Sequence, residues 1–165
     1  MVVARTINPA PMAPRLPSSN YEQLRSLEWV VGNWVAKSGG QSLELSCEWT
    51  AKRNFLLRKY ILKNADGPIK TWMQIIGWDP VEGEIHSWIF DSDGGFGSER
   101  WIKDGKRWIL EATVVTRDGA QATATNVLTP VDQDNFTWQS VGRVLNDVRL
   151  PDTAIIGATR VKAKG

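Results

Sequence analysis

Ile85-His86-Ser87-Trp88-Ile89-Phe90-Asp91-Ser92-Asp93-Gly94-Gly95-Phe96-Gly97-Ser98-Glu99-Arg100-Trp101 is the stretch on which the fold turns. Ile85 to Phe90 is rich in β-branched and aromatic residues, Asp91 to Gly95 tolerates positive φ, and Phe96 to Ile102 resumes strand character. The stretch reads as a β-hairpin. On its first strand His86, Trp88 and Phe90 share one face and Ile85, Ser87, Ile89 and Asp91 the other, because successive side chains point to opposite sides of a sheet. Both faces carry large apolar groups, which predicts a sheet covered on both sides, in a closed barrel or a two-sheet sandwich.

Working outward, the same punctuation recurs along the chain. Turn signals fall at Ser38-Gly39-Gly40, Ala51 to Asn54, Asn64 to Pro68, Asp79 to Gly83, Asp91 to Gly95, Lys103 to Lys106, Thr116 to Gly119, Pro130 to Asp134 and Leu145 to Asp152. They delimit roughly ten short strands at the spacing of about 8–12 residues expected of antiparallel sandwiches and barrels. Strands joined so tightly are antiparallel neighbours, and a meander that closes on itself removes exposed edges. The expected fold class is therefore all-β, an antiparallel up-and-down barrel of about ten strands. Ahead of it, Ser18, Ser19 or Asn20 is placed to cap a short helix through Tyr21 to Leu27. Leu24, Leu27 and Val31 would form its buried side, Gly32 would end it, and the helix would plug one end of the barrel. Residues 1–19 hold Pro9, Pro11, Pro14 and Pro17 and are expected to form a proline-rich linker or arm before a barrel domain over 20–165.

Composition narrows the functional classes. The 20 basic and 18 acidic residues are interspersed and leave a net charge of only +2, so no concentrated field for a phosphate backbone exists and no nucleic-acid partner is expected. Cys47 is the one cysteine, which excludes an intrachain disulfide and a thiolate metal cluster. No apolar run is long enough to cross a bilayer and no secretory h-region opens the chain; a soluble, cytoplasmic protein with no membrane partner is expected. Nine tryptophans supply large rigid apolar surface, either as packed core or as the wall of a pocket.

Candidate ligand-binding residues follow from strand parity. On the run Asn54 to Leu62, Arg58 and Tyr60 alternate with Leu56 and Leu62, an arrangement suited to anchoring a carboxylate, phosphate or enolate inside a barrel. Gln74 stands between Trp72 and Ile76, and Asn126, Gln139, Arg143 and Arg160 continue the polar series. With His86, Trp88 and Trp101 from the central hairpin, the candidate binding set is Arg58, Tyr60, Gln74, His86, Trp88, Trp101, Asn126 and Arg143. His86 is the one histidine and is accompanied by no nucleophile elbow or second histidine, so neither a serine triad nor catalytic zinc is expected. Asp91-Ser92-Asp93-Gly94-Gly95 begins like a calcium loop but has Ile102 where the twelfth-position glutamate would stand, and reads as a turn. No metal and no cofactor are expected.

Leu27-Glu28-Trp29-Val30-Val31-Gly32-Asn33-Trp34, running from one tryptophan through a glycine to another, resembles the start of lipocalin-like, nitrobindin-like calycin barrels. In these a short helix leads into the first of about ten strands. Cys47-Glu48-Trp49, Gly77-Trp78-Asp79-Pro80 and Ser87-Trp88-Ile89-Phe90-Asp91 look like a lipocalin-like group sometimes found behind a cone-shaped, nuclear-transport-factor-like domain. That resemblance implies a missing N-terminal domain as one partner. The haem-binding branch uses a histidine near the C-terminal strands, and Ala154 to Lys164 contains none. The leading expectation is binding of a small apolar or amphipathic molecule in the barrel. The alternative is a cyclase or isomerase acting on a polyene or polyketide-like substrate, with Arg58, Tyr60, His86 or Glu99 handling a proton or an oxyanion. A third is an interaction domain with a packed barrel, whose sign would be a homodimer and no cavity.

Overall fold

The computed structural model describes residues 18–162, so the proline-rich reading of 1–19 lies outside the described residues apart from Ser18 and Ser19. Helix α1 (Tyr21–Leu24) continues as a 3-10 helix (Arg25–Val30) and leads into β1 (Gly32–Ser38), β2 (Gln41–Trp49), β3 (Phe55–Asn64), β4 (Gly67–Asp79), β5 (Glu84–Asp91) and β6 (Phe96–Asp104). β7 (Arg107–Val115), β8 (Gln121–Pro130), β9 (Asn135–Leu145), a two-residue β10 (Val148–Arg149) and β11 (Ile156–Arg160) complete it. Each strand from β1 to β8 pairs with the next, and β11 closes the ring by pairing with both β9 and β1. β10 is a ribbon on the end of β9, so ten strands form a closed antiparallel barrel. This architecture is consistent with a calycin-like fold.

The central hairpin is β5 and β6, joined at Asp91 to Gly95 as a turn. Asp91 Oδ1 accepts from the backbone N–H groups of Asp93 (2.8 Å) and Gly95 (2.9 Å), and Lys70 Nζ lies 3.1 Å from the Asp91 carboxylate and 2.7 Å from that of Asp93. One lysine from the neighbouring strand thus offsets part of the charge of this acidic pair.

One end of the barrel is filled. The expected regular helix over 21–27 is one α-helical turn that tightens into 3-10, and the buried residues are Leu24, Leu27 and Val30 instead of Leu24, Leu27 and Val31. A 3-10 helix repeats every three residues, which puts those three side chains in line where an α-helix would drift. The cap is also local: Ser19 Oγ accepts from the Tyr21 N–H at 3.1 Å, while the Asn20 side chain makes no cap bond. The line of three packs onto Cys47, Leu56, Ile76, Ile85, Trp101, Trp108 and Leu128, which form an apolar floor inside the barrel. Burying each of the three is worth about 1.5–3 kcal/mol.

Arg160, at the end of the last strand, ties this plug to the ring. Its Nη1 and Nη2 donate to the carbonyls of Val31 (2.6 Å) and Trp29 (3.0 Å), its Nε donates to Gln133 O (3.0 Å), and its guanidinium lies 4.0 Å from the centroid of a Trp34 ring. It belongs to the plug and not to the polar series of the barrel interior that strand alternation suggested. Gly32 makes room for it: φ is +118° there, and a Cβ would lie 2.6 Å from Arg160 Nη1. Arg160→Lys keeps the charge but loses the fork that serves two carbonyls at once, so the urea midpoint is expected to fall, with unchanged slope, by the equivalent of about 2–3 kcal/mol. A wild-type midpoint would show that the latch is not a stabilising element.

Candidate ligand cavity

Above the apolar floor the barrel is hollow. Inward-facing positions of β1 to β9 and β11 enclose a cavity of about 350 Å³ walled by Trp34, Leu43, Leu62, Trp72, Ile89 and Trp138, among others. Its mouth lies at the β1–β2 hairpin, where Lys37, Ser38, Gln41 and Ser42 line it. Ala36 and Ala158, paired across β1 and β11, leave the wall thin on that side. The volume falls in the lower part of the range of about 300–1,000 Å³ typical of small-molecule sites.

Between floor and cavity runs a belt of polar side chains that bond one another. Arg58 and Gln74 are directly opposed on β3 and β4, and Ser87 and Glu99 on β5 and β6. Gln74 Oε1 accepts from Tyr60 Oη at 2.7 Å and from Arg58 Nη1 at 3.4 Å, while Gln74 Nε2 donates to Ser87 Oγ at 3.1 Å and to Glu99 Oε2. Ser87 Oγ donates to Glu99 Oε2 at 2.8 Å and accepts from Trp101 Nε1 at 2.9 Å, and Asn126 Nδ2 donates to Glu99 Oε1 at 3.0 Å. The amide of Gln74 therefore offers its oxygen toward the cation and its nitrogen toward the anion. Arg58, Gln74 and Glu99 are 2%, 2% and 7% exposed, so this relay operates in a low-dielectric interior where each missing bond is costly.

The two ends of the relay are unequally satisfied. Glu99 accepts from three side chains. Arg58 forms no ion pair among the described residues, its one hydrogen-bond acceptor there is Gln74 Oε1, and its Nε is buried without a partner. The Tyr60 ring, 5.1 Å from the guanidinium carbon, compensates part of the charge. Burial pushes the Tyr60 phenol well above its usual range, against the opposing pull of Arg58, so it is a neutral donor at physiological pH. Burial likewise pushes the Cys47 thiol up to about 11.

Of the residues singled out by the sequence, Arg58, Tyr60, Gln74 and Asn126 meet in the belt and line the cavity. Trp101 lies under it in the floor, edge-on to Trp108 at 6.0 Å, and supports Ser87 from below. Three others lie elsewhere. His86 and Trp88 are on the outer face of β5, because the inward parity of that strand is Ile85, Ser87 and Ile89. His86 Nε2 is 2.8 Å from Glu84 Oε1, whose other oxygen accepts from Arg100 Nε at 2.7 Å, and Trp88 is 40% exposed. Arg143 follows Gly142, whose φ is +59°, and donates from Nη1 to Pro151 O at 3.0 Å, which fastens the segment before β11. The binding set read from the sequence lacks Ser87, and it gives Glu99 only a proton-handling role; the clean alternation Trp108-Leu110-Ala112 on β7 is the signal that fixes Trp101 and Glu99 as inward on its partner β6.

Among the described residues no group of three or more His, Cys, Asp and Glu is placed to hold a metal ion, and no helix is long and apolar enough to cross a membrane. What fold and site define is a closed ten-stranded antiparallel barrel with a half-filled interior and a polar belt at the bottom of its cavity. No protein-family model matches the chain, and no curated protein matches it.

Two measurements probe the belt. Gln74→Leu takes from Arg58 its one acceptor among the described residues and from Glu99 a donor, and is expected to cost about 3 kcal/mol or more in urea unfolding; a loss under about 1 kcal/mol would mean that the amide is not bridging. Alkaline stability follows from proton linkage. The folded chain keeps protons that the unfolded chain releases, so stability present below pH 9 is lost as pH rises from the ordinary 9.0 of Cys47 toward its folded value of about 11, with Tyr60 adding from 10.0 upward. The fall in urea midpoint between about pH 8 and about pH 10.5 should be shallower in Cys47→Val and in Tyr60→Phe than in wild type.

Proposed function

We propose that this protein binds one small apolar or amphipathic molecule inside the barrel. The observation that carries the reading is the hollow itself: a cavity of about 350 Å³ with an aromatic and aliphatic wall and a few convergent polar groups at its base. That combination is how small-molecule sites are built, with apolar area for affinity and a few polar groups for orientation. A barrel filled to both ends, as an interaction domain would have it, has no such space. The helix-to-strand opening through Trp29, Gly32 and Trp34 supports placing the barrel among lipocalin-like proteins, whose resemblance the sequence suggested.

The chemistry of the belt supports binding over proton transfer. Arg58, Tyr60 and Glu99 do converge, as an isomerase or cyclase would need. Yet the Tyr60 phenol is held protonated and already donates to Gln74, the Glu99 carboxylate is occupied by three donors, and His86 faces outward. A general base needs a free lone pair aimed at its substrate. The belt is built to hold dipoles still.

The test uses N-phenyl-1-naphthylamine, a neutral apolar fluorophore. Saturable binding at one site per chain is expected, and Leu43→Trp, which adds bulk near the mouth, should weaken it by about tenfold or more with little change in thermal midpoint. Binding that does not saturate, or that the variant leaves untouched, would place the probe on the outer surface and refute the reading.

A further inference from the structure

We propose that the cavity selects a monocarboxylate: an amphipathic molecule whose single carboxylate docks on Arg58 at the base of the barrel while its apolar body lies toward the mouth. The inference deepens the binding reading and rests on it. Its starting point is the unequal satisfaction of the two buried charges. Glu99 has three donors, whereas Arg58 has one acceptor at the long distance of 3.4 Å and no ion pair among the described residues. A buried guanidinium left so poorly partnered is costly, and an incoming anion would relieve that cost.

The geometry specifies which anion. Gln74 engages the Nη1 end of the guanidinium, and Nε is buried with no partner. The edge formed by Nε and Nη2 is the side on which a planar carboxylate forms two parallel bonds. Nε is out of contact with the cavity space as the chain stands, so docking is completed by a turn of the guanidinium about its own torsions. Tyr60 Oη, which shares Gln74 Oε1 with Arg58, is a further donor beside it. Glu99 sets the upper limit on charge. It lines the same cavity and is linked to Arg58 through a single amide, so a dianion placed on Arg58 meets carboxylate repulsion that a monoanion feels about half as strongly. The remaining charged lining residue, Lys37, stands at the mouth, and the wall between is apolar. One charged end below and an apolar stem above is the shape of a medium-chain or aromatic monocarboxylic acid.

Octanoate, 1-octanol and octyl phosphate share one tail and differ in head group, and their binding to the full chain is measured by calorimetry and by displacement of N-phenyl-1-naphthylamine. Octanoate is expected to bind about ten- to hundredfold tighter than octanol, as charge-assisted hydrogen bonds allow, and tighter than octyl phosphate. In Arg58→Met octanoate should lose its preference over octanol, and Arg58→Lys should recover only part of the preference. Equal binding of octanoate and octanol to the wild-type chain would overturn the carboxylate assignment while leaving the cavity a ligand site. Octyl phosphate binding as tightly as octanoate would overturn the restriction to monocarboxylates. Failure of all three tails together with the neutral fluorophore would overturn the binding reading itself. Because the wild-type comparison decides these outcomes, a variant that does not fold leaves the test intact.

Discussion

A barrel made by a meander has one seam that local hairpins cannot close, and here Arg160 closes it. Every other neighbouring pair of strands up to β9 is joined by a short turn, so its pairing follows from proximity along the chain. β11 must instead find β1, more than a hundred residues away, and the pairing rests on three register positions, Trp34 with Arg160, Val35 with Thr159 and Ala36 with Ala158. The Arg160 guanidinium adds what three ladder positions do not supply: it takes the carbonyls of Val31 and Trp29, which the 3-10 helix leaves open at its C-terminal end, and lies over Trp34. Seam and plug are thereby one structure.

The plug in turn decides where the cavity is. With Leu24, Leu27 and Val30 filling the bottom, the inward positions nearest the floor are apolar and packed, and the next layer up is the first that can contain polar atoms facing open space. Arg58, Gln74, Ser87, Glu99 and Asn126 occupy that layer. Trp101 joins the two, with its ring in the floor and its N–H in the belt. A tryptophan suits that boundary, since one edge of it is apolar and the other needs a partner when buried.

The architecture was legible because its signals are local. Each turn of the barrel carries its own Gly, Asn or Asp punctuation, and the boundaries at 38–41, 64–67, 79–84, 91–96, 104–107 and 130–135 fall where those residues stand. Much of the belt was legible for a related reason: Arg58, Tyr60 and Gln74 sit on strands whose inward sets, Leu56-Arg58-Tyr60-Leu62 and Trp72-Gln74-Ile76, keep their character along the whole strand. β5 gave no such guide. His86, Trp88 and Phe90 are as bulky as Ile85 and Ile89, and nothing within the strand says that the aromatic face is the one turned to solvent. The decision is made across the sheet, where outside His86 meets Glu84, which Arg100 links to Glu111, and inside Trp101 meets Ser87. Arg143 and Arg160 illustrate a second limit. Arg143 lies after Gly142, where the strand has departed from regular alternation and parity predicts nothing; Arg160 keeps the inward parity of β11, but at the strand's end that side meets the plug and not the cavity.

A barrel of this size could be held together without a buried cation and anion. Replacing such groups by apolar ones of similar volume is often neutral or stabilising, since desolvation of the ions offsets their attraction. Here the arrangement is less favourable still, because Arg58 and Glu99 do not touch and the interaction between them passes through one amide. What it does achieve is a fixed orientation of every dipole around the base of the cavity: Gln74 cannot flip without setting its nitrogen against Arg58 and its oxygen against Glu99. Dipoles held in place cost little reorganisation, so for the proposed ligand the poorly satisfied end of the relay is where most would be gained, against the turn of one guanidinium. On the proposed reading, stability given up at the belt would be recovered when a ligand fills the open part of the interior.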